Sequence, residues 1–454
     1  LSVKYIFSLL AAVMTVTFVY GTEADAAARS VFVNDGIAQF DEDPVLIRGT
    51  NYIELRGLCN ALDYQIGWQQ SSKTASCTGD GSMLTFSFNG DTYTYNGQRK
   101  RFDNPPRIIN GRSMIGLREV SQILNHRVHW IQLTGDVFLM RPGITDGEKG
   151  QMIDALLERM TERRQFSGAA AVKKEGDVIT ADGYGYADRS RSIRNGTDTS
   201  FAIASVTKGM TGMAAMKLEE EGRIDLDDRL GDYLPDVEYA EEVTLRQLLT
   251  HTSGYPWEYP NGDKTIGTLV YEPGEGQRYS NIGYQLMGDV IAKVTGMSYG
   301  DYIEEHVFER ADMLNSGFDI NTVHPYRRAV GYRLDNGRFR TVNRDFAARG
   351  ASGSLYASVE DLLKFDDAIR DGTIISDDAV ERMLQRHAGT WGYGWQVYNP
   401  SSGRVSQLVG STTGFRSFLK REDGQPYTVV LLSNMELGDQ YLNTLGKTIE
   451  DIIR

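Results

Sequence analysis

A ten-residue pattern of this chain recurs with half of its positions identical. Ile47-Arg48-Gly49-Thr50-Asn51-Tyr52-Ile53-Glu54-Leu55-Arg56 matches Ile109-Asn110-Gly111-Arg112-Ser113-Met114-Ile115-Gly116-Leu117-Arg118 at an offset of 62. At the same offset Leu62 maps on to Leu124 and Trp68 on to Trp130. Each copy reads as a short strand, a turn at Gly49 or Gly111, a short helix, then strands around the tryptophan. Two copies of one supersecondary unit bury a joint core that neither buries alone. Residues 30–141 are therefore expected to form a small two-repeat α+β domain. The repeat also places the two cysteines. Cys77 falls opposite Leu139, a core-type strand position, and Cys59 falls opposite Ser121 on the helix. A strand and the helix packed on it can bring two cysteines within bridging distance. The alternative is a pair of buried thiols.

The N-terminus reads as an export signal. Lys4 precedes an apolar stretch from Tyr5 to Tyr20, and Ala24-Asp25-Ala26-Ala27-Ala28 offers a small-residue cleavage site. Residues 1–26 are expected to be a signal peptide; a membrane anchor is the competing reading. No later run is long and apolar enough to span a bilayer, so the processed protein is expected to be secreted or envelope-associated. A formal net charge of -13 argues against nucleic-acid binding, which needs a basic stripe.

Arg141-Pro142-Gly143 opens a turn-rich linker over 142–150. A helix follows, with Met152, Ile153, Leu156, Leu157 and Met160 on one face. Strand-like runs at 169–174 and 178–186 meet at Gly176-Asp177, a hairpin signal. Residues 205 to about 380 read as mostly helical. Strands return at 395–398, 405–409, 415–420 and 428–433, and a helix over 437–453 closes the chain. Strands at both ends with helices between them predict an α+β domain over 151–454. Its antiparallel sheet is closed by both termini, flanked by helices and accompanied by a helical lobe.

Within that domain Ser205-Val206-Thr207-Lys208 puts a hydroxyl and an amine one helical turn apart, on one face. A serine needs a base within hydrogen-bond reach to act as a nucleophile. A lysine whose pKa is depressed by burial can be that base. The spacing alone is weak, because Ser417-Phe418-Leu419-Lys420 repeats it. That second copy lies in a strand, where residues three apart face opposite ways. The first is followed by Met210, Met213, Ala214 and Leu218, a helical face. Its bland alternative is a buried helix start with a salt-bridging lysine. Tyr279-Ser280-Asn281 stands on a loop ahead of another helical run, where functional side chains are often presented. Tyr-x-Asn also occurs at 259 and 441, and a buried tyrosine with a helix-capping asparagine is the bland reading. No Gly-x-Ser-x-Gly elbow of the α/β-hydrolase kind is present.

These segments, in this order, resemble the serine β-lactamases and penicillin-binding proteins, in the branch of class C β-lactamases, D,D-peptidases and related esterases. The resemblance runs from about 150 to 454. It includes Phe201-Ala202-Ile203-Ala204-Ser205-Val206-Thr207-Lys208, Leu248-Leu249-Thr250-His251-Thr252-Ser253-Gly254, Pro273-Gly274 with Tyr279-Ser280-Asn281, Trp391-Gly392-Tyr393-Gly394-Trp395 and Val429-Val430-Leu431-Leu432-Ser433-Asn434. It implies a β-lactamase/transpeptidase-like fold, acylation of Ser205, proton transfer by Lys208 and Tyr279, and substrate binding by Asn281. His251 is implied to be structural. The family's third motif, Lys-Thr-Gly or His-x-Gly, falls on Leu408-Val409-Gly410, so the cation or imidazole is replaced by leucine. Gly410 remains, and the backbone N–H of Ser411 can pair with that of Ser205 as an oxyanion hole. Losing one charge-assisted hydrogen bond costs about 1.5–3 kcal/mol, or roughly ten- to a hundredfold.

Residues 30–141 resemble the copper amine oxidase N-terminal-like domain, without its chemistry. His126 and His129 map on to Tyr64 and Gly67, which are not ligands, and no metal or cofactor is expected. The resulting expectation is an exported serine hydrolase acting on peptidoglycan-type D-amino-acid peptides, β-lactams or esters, with cell-wall material as a partner of the repeat domain. The alternative is a non-catalytic envelope-binding or sensor protein with a degenerate third motif.

Overall fold

The computed structural model describes all residues except 1–27, 34, 35, 80, 261 and 263. The expected signal peptide lies outside the described residues. The chain forms two compact units, Ile37–Pro142 with the strand Val31–Val33, and Gly143–Arg454.

In the first unit the two copies fold alike, element for element. Strands Val45–Ile47 and Thr50–Glu54 lead into helix Leu55–Ala61; Arg107–Ile109 and Arg112–Gly116 lead into helix Leu117–Ile123. The hairpin turns are Arg48-Gly49 and Asn110-Gly111, with all four residues at positive φ. A two-residue turn of this kind needs φ above zero at both central positions, which glycine and asparagine supply at least cost. The two hairpins pair through Ile53 and Ile115 into one four-stranded sheet. Ile53, Leu55, Leu58, Ile115, Leu117 and Val120 are buried together, which is the joint core the repeat requires. Strands Ser82–Ser87, Thr92–Tyr95 and Gln98–Arg101 extend the first copy's sheet to five strands, an addition with no counterpart in the second. A disulfide joins Cys59 on the helix to Cys77 on strand Thr74–Gly79.

The second unit is built on a six-stranded antiparallel sheet. Its strands are β1 (Gly168–Lys174), β2 (Asp177–Tyr184), β3 (Gln396–Tyr398), β4 (Val405–Thr412), β5 (Phe415–Glu422) and β6 (Tyr427–Ser433). Their order is β2-β1-β6-β5-β4-β3, so the first and last strands of the unit lie side by side at its centre. Every residue of β6 is buried, so the sheet is covered on both faces, and its sequence runs apolar without alternation. Helices α1 (Asp146–Glu162) and α5 (Tyr441–Ile453) pack on each other and on the sheet. Helix α2 (Thr207–Glu220) is buried from Thr207 through Met216. A helix covered all round lies in the core. Helix α3 (Asn281–Thr295) packs beside it, and α4 (Val359–Arg370) packs on β1 and β6.

Two helix starts differ from expectation. Helix α1 starts at Asp146, inside the linker expected over 142–150. Thr145 Oγ1 accepts the Glu148 N–H at 3.2 Å and Glu148 Oε2 accepts the Thr145 N–H at 2.8 Å. This capping box sets the start despite Gly147 and Gly150. Helix α5 starts at Tyr441 rather than 437, because the Glu436 N–H donates to the Tyr332 carbonyl at 2.7 Å and keeps the chain out of the helix.

Candidate active site

The chain leaves Phe201-Ala202, turns at Ala204 and enters a short 3-10 turn, Ala204–Val206, which runs into α2. Ala204 has φ +47°. A non-glycine residue there costs on the order of 1 kcal/mol, and such strain clusters at functional sites. Ser205 follows it. Its Oγ is 3.1 Å from Lys208 Nζ, and Tyr279 Oη donates to it at 2.7 Å. Lys208 also donates to the Ser352 carbonyl at 2.6 Å, from the 3-10 segment Ala347–Ser352.

Lys208 is fully buried, with Nζ 4.9 Å from the Tyr279 ring centre and 5.4 Å from that of Tyr284. Burial drives its pKa well below the ordinary lysine value, and the charge of Arg349 adds to this. The ammonium is disfavoured and the amine lone pair is available. Burial pushes the Tyr279 phenol the other way, above its ordinary value, partly offset by its bond to Ser205. The phenol therefore stays protonated and donates.

The Tyr279 ring is held by neighbours from two other segments. Its ring lies 4.5 Å from that of His251 and 5.7 Å from that of Trp391. His251 Nδ1 accepts the Ser280 N–H at 3.1 Å, and burial keeps this imidazole neutral. Ser280, not Asn281, caps α3: its Oγ accepts the Gly283 N–H at 3.2 Å. Asn281 opens the helix, and its Nδ2 donates to Glu258 Oε1 at 2.6 Å.

Strand β4 passes the other side of Ser205. At Gly410 a Cβ would lie 2.3 Å from the Ile203 carbonyl oxygen and 2.0 Å from Ser417 Oγ. The strand thus reaches the turn bearing Ser205 only because position 410 has no side chain. Ser411 lines the cavity and its Oγ donates to Asp439 Oδ1 at 3.0 Å. Leu408 is buried against α2 at Gly209 and carries no charge to the site. The competing pair is split: Ser417 Oγ donates to the Ile203 carbonyl, while Lys420 pairs with Glu450 of α5.

A cavity of about 700 Å³ opens over these groups. Ser205, Lys208, Tyr279, Asn281 and Ser411 line it, whereas Gly410 acts beneath it. The sequence reading missed Trp257, Glu258, Arg344 and Arg349, which also line it. Glu258 and Arg349 form an ion pair. Arg344 donates to Thr413 Oγ1 at 3.0 Å. No spacing marks these residues, since they arrive from loops far apart in sequence. Arg416, which also lines the cavity, donates to the carbonyls of Thr412 and Phe415, both at 2.8 Å. Among the described residues no group of three or more His, Cys, Asp and Glu could hold a metal ion.

The family model described as Beta-lactamase matches residues 153–451. The chain belongs to the beta-lactamase family. The Copper amine oxidase N-terminal domain model matches residues 32–139. The "Putative penicillin-binding protein PbpX" of Bacillus subtilis (strain 168) is 33% identical over 284 residues, 60% of this chain and 71% of its own length. "Penicillin-binding protein 4*" of the same organism is 28% identical over 344 residues, 67% of this chain and 76% of its own. The crystal structure of a penicillin binding protein from Bacillus halodurans superimposes with a TM-score of 0.58 at 25% identity, over 64% of this chain and 99% of that one. This beta-lactamase-family chain thus has the expected α+β, transpeptidase-like fold. Among its described residues, no helix is long and apolar enough to cross a membrane.

Proposed function

We propose that this protein is an exported serine hydrolase that works through an acyl-enzyme on Ser205. Its substrates are peptidoglycan-type D-amino-acid peptides, β-lactams or esters. The observation that carries the reading is the convergence of Ser205 Oγ, Lys208 Nζ and Tyr279 Oη within hydrogen-bond reach. In this reading residues 151–454 are the hydrolase domain. Residues 30–141 are an accessory domain for cell-wall material, and 1–26 are removed on export.

Lys208, uncharged before reaction, takes the hydroxyl proton as Ser205 Oγ attacks the substrate carbonyl carbon. The carbonyl electron pair moves to oxygen, which faces the backbone N–H groups of Ser205 and Ser411. Tyr279 donates its proton to the leaving nitrogen or oxygen as the scissile bond breaks, and recovers a proton from Lys208. Water then attacks the acyl ester, with the same groups acting in reverse, and frees Ser205. Asn281 hydrogen-bonds the acyl chain.

The non-catalytic reading draws on Leu408. Against it, Arg344, Arg349 and Arg416 line the same cavity, the last two paired with Glu258 and Asp439. The test is a panel of a chromogenic cephalosporin, a D-Ala-D-Ala peptide and short-chain nitrophenyl esters, run on wild type and Ser205→Ala. Turnover, or a labelled-penicillin adduct, that disappears in the variant supports the hydrolase. Absence of both from the wild type leaves the binding protein.

A further inference from the structure

The charges lining the cavity pair off and leave one guanidinium over. The carboxylates there are those of Glu258, Glu436 and Asp439. Glu258 pairs with Arg349, Glu436 with Arg333 at 3.0 Å, and Asp439 with Arg416 at 3.5 Å. Arg344 lines the same cavity and, among the described residues, forms no ion pair. Its neighbour Asp345 is turned into its own loop, where Oδ1 accepts the N–H groups of Ala347 and Ala348 at 3.0 and 3.3 Å. Arg344 is nonetheless held in place. Its Nη1 donates to Thr412 Oγ1 at 3.3 Å and to Thr413 Oγ1 at 3.0 Å. Two residues on, buried Phe346 packs edge-on against Phe415, with ring centres 5.6 Å apart. Nε and Nη2 make no hydrogen bond among the described residues. That edge of a guanidinium matches a carboxylate with two parallel bonds.

Thr412 ends β4 two residues past Gly410, and Leu408 lies two residues before it. At about 3.4 Å per strand residue the two positions are roughly 14 Å apart, with the close approach to the Ser205 turn between them. Arg344 therefore does not stand in for a cation at 408. It belongs to the wall of Asn281. Asn281 Nδ2 meets Glu258, Glu258 pairs with Arg349, and Arg349 sits on the segment Ala347–Ser352, which begins three residues after Arg344.

We propose that Arg344 is a specificity-determining residue, which binds a carboxylate carried on the acyl half of the substrate, the half that Asn281 holds. This names a substrate class for the proposed hydrolase and rests on that reading. A guanidinium without a counter-charge, in a cavity screened less than bulk water, gains from an anion that reaches it. The end of the strand at Leu408 offers no side-chain charge, so the leaving half needs none. The formal net charge of -13 repels anions at long range, so a preference for one has to come from a local cation.

The experiment compares kcat/KM for two nitrophenyl esters with the same leaving group, one whose acyl chain ends in a carboxylate and one ending in the methyl ester of that carboxylate. Wild type, Arg344→Gln and Arg344→Lys are measured, with Ser205→Ala as blank. The readout is the charged-to-neutral ratio. It is expected to exceed one in wild type, to fall roughly ten- to a hundredfold in Arg344→Gln, the worth of one charge-assisted hydrogen bond, and to recover in part in Arg344→Lys. Added salt is expected to lower the wild-type ratio. A second pair places the carboxylate on the leaving group instead, as acetate esters of 3-hydroxybenzoate and of its methyl ester. A preference for the charged member of this pair that Arg344→Gln removes overturns the assignment to the acyl half. An active wild type with a ratio of one or below on the first pair, or a ratio that Arg344→Gln leaves in place, overturns the proposal and leaves the hydrolase reading standing. A wild type no faster than Ser205→Ala on every ester overturns both. Should Arg344→Gln not fold, the wild-type ratio and its salt dependence decide.

Discussion

Replacing Gly410 by alanine adds one methyl group at the point where β4 meets the turn bearing Ser205. The ideal Cβ would lie 2.3 Å from the Ile203 carbonyl oxygen and 2.0 Å from Ser417 Oγ, against an ordinary contact of about 3.5 Å. Those two atoms are bonded to each other, Ser417 Oγ donating to Ile203 O at 2.6 Å. The methyl is wedged into a buried hydrogen bond and forces a shift of roughly 1 Å. Overpacking costs about 1–3 kcal/mol, and a buried hydrogen bond adds about 1 kcal/mol, so about 2–4 kcal/mol is expected. Ile203 is two residues before Ser205, so the displacement is passed to the nucleophile and to the N–H of Ser411. A misplacement of about 1 Å is expected to cost on the order of a hundredfold in acylation. Urea unfolding measures the first quantity and the acylation rate by a chromogenic β-lactam or ester the second. Ser417→Ala in the same chain removes one of the two obstructing atoms. The double variant is therefore expected to lose less than the sum of the single losses. Gly410→Ala within about 0.5 kcal/mol and threefold of wild type would refute the close-approach argument.

Tyr279→Phe removes the donor to Ser205 while keeping the ring against His251 and Trp391. Its kcat/KM is expected to fall about a hundredfold or more with the unfolding midpoint little changed, and equal rates would exclude a proton-transfer role. Lys208→Met is expected to abolish turnover and to change the pH dependence of stability. Because the folded-state pKa of Lys208 is depressed below the model value of 10.5, the unfolded chain binds more protons between the two values. Wild-type stability therefore rises relative to the variant as pH climbs towards 10.5 and falls back as pH drops through the folded value; parallel urea profiles at pH 7 and 10 would contradict this. Replacing Cys59 and Cys77 together by serine opens a loop with a sequence separation of 18, and a loss of about 3 kcal/mol is expected in the first unit, read by its proteolysis rate with and without reductant.

Much of this architecture is legible locally. The offset of 62 carried the first unit down to its Arg48-Gly49 and Asn110-Gly111 turns, because turn chemistry and apolar periodicity act over a few residues. The Ser-x-x-Lys pair was separable from its copy at 417 for the same reason: strand and helix periods differ, and neighbouring residues reveal which applies. The start of α1 was legible too, as Thr145-x-x-Glu148, but was masked by the glycines around it. Arg349 and Glu258 carried no such mark.

What the chain determined by itself is the set of parts: two repeat units, a sheet assembled from both ends of the second unit, a hydroxyl and an amine on one turn, and a strand motif with leucine where a cation was expected. Tertiary structure decided how those parts act on each other. It brought Tyr279 to within 2.7 Å of Ser205 across 74 positions, sealed Lys208 from water, and brought Arg349 to the same cavity. It also turned Gly410 from a motif letter into a steric requirement. Spacing is fixed by bonds along the chain, whereas burial and the field of a distant charge exist only once remote segments have packed.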